Sequence, residues 1–179
     1  MRSLNNCSPS TWAGFTLPEL LVGITVLGIL AAMALLAGGE TLATQRVEAA
    51  TRRLAQGIER GRAQAAEQGQ PCAMSLGATG WEAPGSGGSP AACGQGLRSL
   101  DEGVGNGAVQ VRHNLPEAVR FSSNGLVLDG GTVVLSSEGT ELRRCLVMAL
   151  PLGVVRLGRY GGAEGGAPDS SACRPDPAL

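Results

Sequence analysis

An apolar run from Phe15 to Gly39, interrupted by one carboxylate at Glu19, constrains this chain more than any other stretch of its 179 residues. Residues 20–39 carry no charge. At 1.5 Å rise per residue, a helix of about 20 residues spans roughly 30 Å, the hydrocarbon thickness of a bilayer. The run is therefore expected to be a transmembrane helix segment over 15–39. An ionisable group at such depth costs roughly 2.5–3.5 kcal/mol on insertion scales and marks a function and a partner. Residues 1–14 are short and polar, carry one cation at Arg2, and lack the apolar core of a complete secretory signal. Arg2 and the initiating amine orient that end toward the cytoplasm.

From Glu40 to Gln68 the pattern turns amphipathic. Ala43, Val47, Ala50, Leu54, Ile58, Gly61 and Ala65 recur at spacings of three and four and predict one buried helix face. Arg46, Arg52, Arg53, Glu59 and Arg62 fall elsewhere and read as a solvated face, with Glu48–Arg52 as a supporting i,i+4 pair. Gly69-Gln70-Pro71 predicts the helix end.

Beyond it, short runs predict strands at 72–76, 108–113, 119–122, 126–128, 132–136, 143–150 and 154–157. They are separated by Ser123-Asn124-Gly125, Asp129-Gly130-Gly131 and Ser137-Glu138-Gly139. Aromatics make up only 3% of the chain, so Val, Leu and Ala must build the core. The expected fold class is α+β, a long N-terminal helix followed by a small, mostly antiparallel β domain over 69–160. A flexible Gly/Pro-rich tail is expected over 161–179, held only near Cys173.

Of five cysteines, Cys72, Cys93, Cys145 and Cys173 follow the apolar run. An even count in a small extracytoplasmic domain suggests two disulfides with three possible connectivities. The two short loops, Cys72–Cys93 and Cys145–Cys173, are favoured over four free thiols. No C-x-x-C pair and a single histidine argue against a metal. His113 has no nucleophile elbow nearby, and Gly103–Gly107 does not sit between a strand and a helix as a phosphate loop would. Asp101 and Glu102 alone do not make an acid/base pair. No catalysis and no cofactor are expected.

The run Gly14-Phe15-Thr16-Leu17-Pro18-Glu19-Leu20-Leu21-Val22, after a short basic leader, resembles the class III signal of type IV pilins and type II secretion pseudopilins. That resemblance implies removal of residues 1–14 by a prepilin peptidase, which cuts between Gly14 and Phe15 and methylates the new Phe15 amine. It also implies that Glu19 pairs with that cation on a neighbouring subunit. Pro18 departs from the commonest form, where a branched apolar residue stands. After the cut Pro18 is the fourth residue, where a missing N–H has no helical acceptor to lose.

Further along, Trp81, Leu115-Pro116-Glu117-Ala118-Val119-Arg120-Phe121, Asn124-Gly125-Leu126 and Leu142-Arg143-Arg144-Cys145-Leu146-Val147 resemble the GspH/FimT group of minor pseudopilins. The resemblance implies a pilin-like fold. It implies an inner-membrane protein with a periplasmic domain, built into a pseudopilus, that helps assemble the filament and move secreted cargo. Other pilin or pseudopilin subunits are the implied partners.

Some relatives on the pilus side bind DNA through a C-terminal G-R-x-R motif. Here the matching stretch is Gly153-Val154-Val155-Arg156, with Val154 replacing the first arginine. Arg156 and Arg159 remain as weak DNA contacts, with Arg143 and Arg144 in the preceding strand. Without residues 1–14 the net charge is −2, which disfavours phosphate binding. DNA uptake is one alternative function. The other is an ordinary secreted protein cleaved near Ala31–Ala37.

Overall fold

The computed structural model describes residues 15–85, 90–93, 100, 108–150 and 153–176, without the side chains of 34–37. The chain divides into two compact units, Met1–Gly38 and Gly39–Leu179. Helix α1 is assigned over Leu17–Gln68.

In the first unit α1 starts at Leu17, and its first backbone bond runs from Leu20 N–H to Thr16 O at 3.1 Å. Thr16 is thus the N-cap and Pro18 the second helical residue, where its missing N–H is one of the orphans of any helix start. Leu17, Leu20, Leu21, Val22, Ile24, Leu27 and Leu30 are all exposed within this chain, so the segment is apolar all round. Among the described residues no single helix is long and apolar enough to cross a membrane; Leu17–Met33 and Gly38–Gln68 meet that requirement only as a pair.

In the second unit all seven helix positions expected inside are buried, from Ala43 to Ala65. The helix ends in a Schellman motif. Gly69 adopts φ 62°, its N–H reaches Ala66 O, and Gln70 N–H reaches Ala65 O at 3.2 Å.

The strands are β1 (Cys72–Gly77), β2 (Gly80–Glu82), β3 (Ala91–Ala92), β4 (Val109–His113), β5 (Val119–Phe121), β6 (Gly131–Ser137), β7 (Arg144–Ala149), β8 (Val154–Tyr160) and β9 (Cys173–Pro175). β1 pairs with β2, β3 and β5, and only its pairing with β3 is parallel. The second sheet is antiparallel, in the order β4-β6-β7-β8-β9. Residues 126–128, expected as a strand, make only an isolated bridge between Val127 and Phe121. Strands β2, β3 and β9 were not expected; each is three residues or fewer, too short to show a period.

The core lies between α1 and both sheets. Val47, Ala50, Leu54 and Ile58 meet Met74, Phe121, Val133, Leu135, Leu146 and Met148. Each fully buried aliphatic side chain there contributes about 1.5–3 kcal/mol of transfer free energy. Val134, Cys145, Val147, Tyr160 and Cys173 form a second cluster. By strand alternation this cluster lies on the other face of the sheet. β6 and β7 are thus buried on both faces, which is why they read as unbroken apolar runs.

Residues 161–176, expected as a flexible tail, are tied to that second face. The Arg112 guanidinium donates to Glu164 O and Gly166 O, Asn114 Nδ2 donates to Pro168 O at 3.0 Å, and a 3-10 turn at Ser170–Ala172 leads into β9. Glycine and proline signalled an irregular path, and the donors that fix it come from strands elsewhere in the sequence.

Candidate functional site

Three groups of residues carry the sequence-based expectations. The first is the N-terminal segment. Phe15 is 86% exposed, and Gly14, the other side of the expected cut, lies outside the described residues. Glu19 is the third helical residue. Its Oε2 accepts the Thr16 N–H at 2.9 Å and the Thr16 hydroxyl at 2.7 Å. This is the carboxylate half of a capping box. The anion also sits in the first turn, where the helix dipole favours it. The T-x-x-E spacing from Thr16 to Glu19 is legible in the sequence, although Thr16 was not singled out there.

The second group is the cysteines. Cys72–Cys93 and Cys145–Cys173 are both disulfides, closing separations of 21 and 28 residues. The first ties β1 to the segment after β3. The second runs from β7 to β9 and passes β8 at Gly158, which lies opposite Cys145. A Cβ on Gly158 would lie 3.3 Å from Cys173 Sγ and far closer still to Arg174 O, so no larger residue fits beneath the bridge.

The third group is the arginines, and here the structure corrects the sequence reading. Arg144 does not contribute to a surface patch. It is 5% exposed and joins Glu48 of α1, at 2.7 Å, to Asp176 beyond β9. Burial alone would lower its pKa, but the hydrogen bonds to Asp176 and Glu48 outweigh that and raise it. Its Nε is buried and unpartnered among the described residues. Glu48 therefore bonds across to the sheet and not to Arg52. Helix propensity is local, whereas a buried guanidinium must find carboxylates wherever the fold places them.

Arg143 stacks over the Tyr160 ring at 5.8 Å and donates to Gly162 O at 2.8 Å. The helix arginines are not simply a solvated face either. Arg46 is 8% exposed and donates to Ser137 Oγ, Arg53 donates to Leu100 O, and Arg62 donates to Gly125 O. Only Arg156 and Arg159, of the four considered for DNA, are exposed with side chains that make no hydrogen bond or ion pair among the described residues. They are three residues apart on one strand, so alternation puts them on opposite faces of the sheet. Together they do not form one phosphate-binding face.

His113 ends β4 and is exposed. Asp101, Glu102 and residues 103–107 lie outside the described residues. Among the described residues no three His, Cys, Asp or Glu side chains converge on a point that could hold a metal ion.

Two family models match the chain. Type II transport protein GspH matches residues 50–151, and the prokaryotic N-terminal methylation motif matches residues 13–35. No curated protein and no solved structure matches.

Proposed function

Because this chain belongs to the Type II transport protein GspH family, a GspH/FimT-type pseudopilin with a class III prepilin signal, we propose that it is a minor pseudopilin that acts in assembling a secretion pseudopilus. The observation that carries the reading is the methylation motif over residues 13–35, which contains Phe15 and Glu19 on one capped helix start. In this reading a prepilin peptidase cuts after Gly14. The apolar segment holds the protein in the inner membrane, with the disulfide-bonded domain in the periplasm, and later packs among the helices of other pseudopilin subunits. The domain contacts neighbouring subunits or cargo.

The chemistry is assembly by burial and charge pairing. A methylated amine stays cationic. Opposite Glu19 of a neighbour it would neutralise a carboxylate that filament packing removes from water, where an unpaired charge is costly. The capping hydrogen bonds from Thr16 use Oε2, which leaves Oε1 to face such a cation.

The test is incorporation into filaments. A tagged chain is expressed with the other pseudopilins, and sheared filaments are separated from membranes. Glu19→Ala is expected to remain in the membrane fraction and to be lost from filaments. Equal incorporation of Glu19→Ala and the unsubstituted protein would refute the pairing.

A further inference from the structure

Strand β8 is longer than the strand that covers it. β9 pairs with Gly158, Arg159 and Tyr160, and Asp176 N–H reaches Leu157 O at 3.4 Å. Among the described residues, Val154–Arg156 has β7 on one side and no strand on the other. Two hydrogen bonds fix which backbone groups face the open side. Tyr160 N–H points toward β7, to Arg143 O, and Leu157 O points the other way, to Asp176. These directions alternate along an antiparallel strand, so the N–H and C=O of Val155 point out of the sheet edge.

Native sheets usually blunt such an edge with charge, proline, a bulge or a covering segment. Here the neighbouring side chains are aliphatic: Leu150 is 53% and Val154 48% exposed. On the Arg156 side lies a hollow of about 560 Å³, lined by Val147, Leu150, Pro168 and Arg156 among others. Arg156 has no carboxylate partner among the described residues. Asp169, the acid lining the hollow, spends both carboxylate oxygens on the Ser171 N–H and hydroxyl. Arg159 and Arg174, paired across β8 and β9, likewise have no acid partner among the described residues.

The geometry points to a strand-addition site. An extended segment of a partner protein pairs with Val154–Leu157, sets a carboxylate against Arg156, and lays aliphatic side chains against Val155, Leu157 and Leu150. Main-chain hydrogen bonds supply affinity in this mode, and alternating side chains supply specificity. The unpartnered arginines select an acidic segment. The inference does not depend on the assembly role proposed above or on N-terminal processing.

The probe is a fluorescent capped peptide, Thr-Val-Glu-Val-Leu-Thr, titrated by anisotropy against the full chain in detergent micelles. A second peptide has Lys in place of Glu. The Glu peptide is expected to bind about tenfold more tightly than the Lys peptide, and Arg156→Glu to reverse that order. Val155→Pro removes an N–H that β7 does not use and is tolerated at an edge. It is expected to weaken the Glu peptide about tenfold, while Val155→Ala stays within about threefold and both variants keep the parent circular dichroism.

Binding of the Glu peptide to Val155→Pro as tightly as to the unsubstituted chain overturns the proposal, as does no binding to any form. Binding only to a chain ending at Asp176 would mean that residues 177–179 occupy the edge, and also overturns it. So does a single-stranded oligonucleotide that displaces the peptide and binds Val155→Pro unchanged, which would make this a nucleic-acid surface.

Discussion

Replacing Gly57 with alanine sets local helix preference directly against packing. Gly57 lies within α1, and alanine there would gain about 0.8–1.0 kcal/mol of helix propensity. The structure opposes this. A Cβ at Gly57 would collide with Trp81 Cδ1 and stand 2.5 Å from Nε1. Carbon atoms pack at roughly 3.5–4.0 Å, so the indole or the helix must move by more than about 1 Å. Trp81 is 7% exposed, and its Nε1–H donates to Leu54 O at 2.9 Å, one turn before Gly57.

Moving the ring lengthens that bond. Overpacking costs about 1–3 kcal/mol, and stranding a buried donor about 1–3 kcal/mol more. Less the propensity gain, Gly57→Ala should destabilise the domain by about 1–5 kcal/mol. At roughly 4 °C per kcal/mol the melting temperature should fall by about 4–20 °C. Thermal melts followed by circular dichroism and by tryptophan emission suit the test, because Trp81 is the only tryptophan after Trp12. In a Trp81→Leu background the penalty should shrink below about 1 kcal/mol or change sign, since the two sites are in contact. A Gly57→Ala protein as stable as its parent, or more stable, would refute the close packing of helix and indole.

Other outcomes follow from the same structure. Cys145→Ser with Cys173→Ser should cost roughly 3–4 kcal/mol from loop-closure entropy over a 28-residue separation, measured by urea unfolding. Gly158→Ala should also destabilise strongly and should slow disulfide closure, read by thiol labelling during refolding, because its Cβ would collide with Arg174 O. Arg144→Met should lower stability by about 1–3 kcal/mol, short of the full cost of breaking a buried pair, because Glu48 and Asp176 keep 31% and 27% exposure and can rehydrate. Asp129 is held below its ordinary pKa of 3.8 chiefly by the hydrogen bond from Arg120. Its contribution is therefore present above that pH and lost as pH falls through the lower folded value. Arg120 is 52% exposed, so Asp129→Asn should remove only about 0.2–1 kcal/mol of stability at neutral pH, with less left to lose on acidification.

What could be read from the sequence was whatever repeats over a short span or rests on chain chemistry alone. The buried face of α1 from Ala43 to Ala65 follows from a 3.6-residue period, and its end from Gly69 and Pro71. The tight loops explain why Cys72–Cys93 and Cys145–Cys173 were the favoured pairs. Strands β6 and β7 were legible as strands, but their burial on both faces emerged only when the sheet was seen to separate two clusters.

What could not be read depends on distant residues meeting. Gly57 looks like a flaw in a helix until Trp81 is placed over it. Arg46 and Arg144 look like surface charges until Ser137, Glu48 and Asp176 surround them. Residues 161–176 look like a loose tail because their hydrogen bonds come from Arg112, Asn114 and Arg143 on other elements. At the candidate site, the capping relation of Thr16 to Glu19 was written in their spacing. The open half of β8 became visible only once the register of β9 was known.

Processing as a prepilin would make Phe15 the first residue of the mature protein, four residues before Glu19. Mass spectrometry of the mature N-terminus from a membrane fraction, with and without an active prepilin peptidase, tests it directly. A chain beginning at Phe15 and heavier by one methyl group is expected when the peptidase is present, and an intact Met1 or formyl-Met1 precursor when it is absent. A mature chain starting near Gly38, or one that keeps residues 1–14 despite an active peptidase, would contradict it.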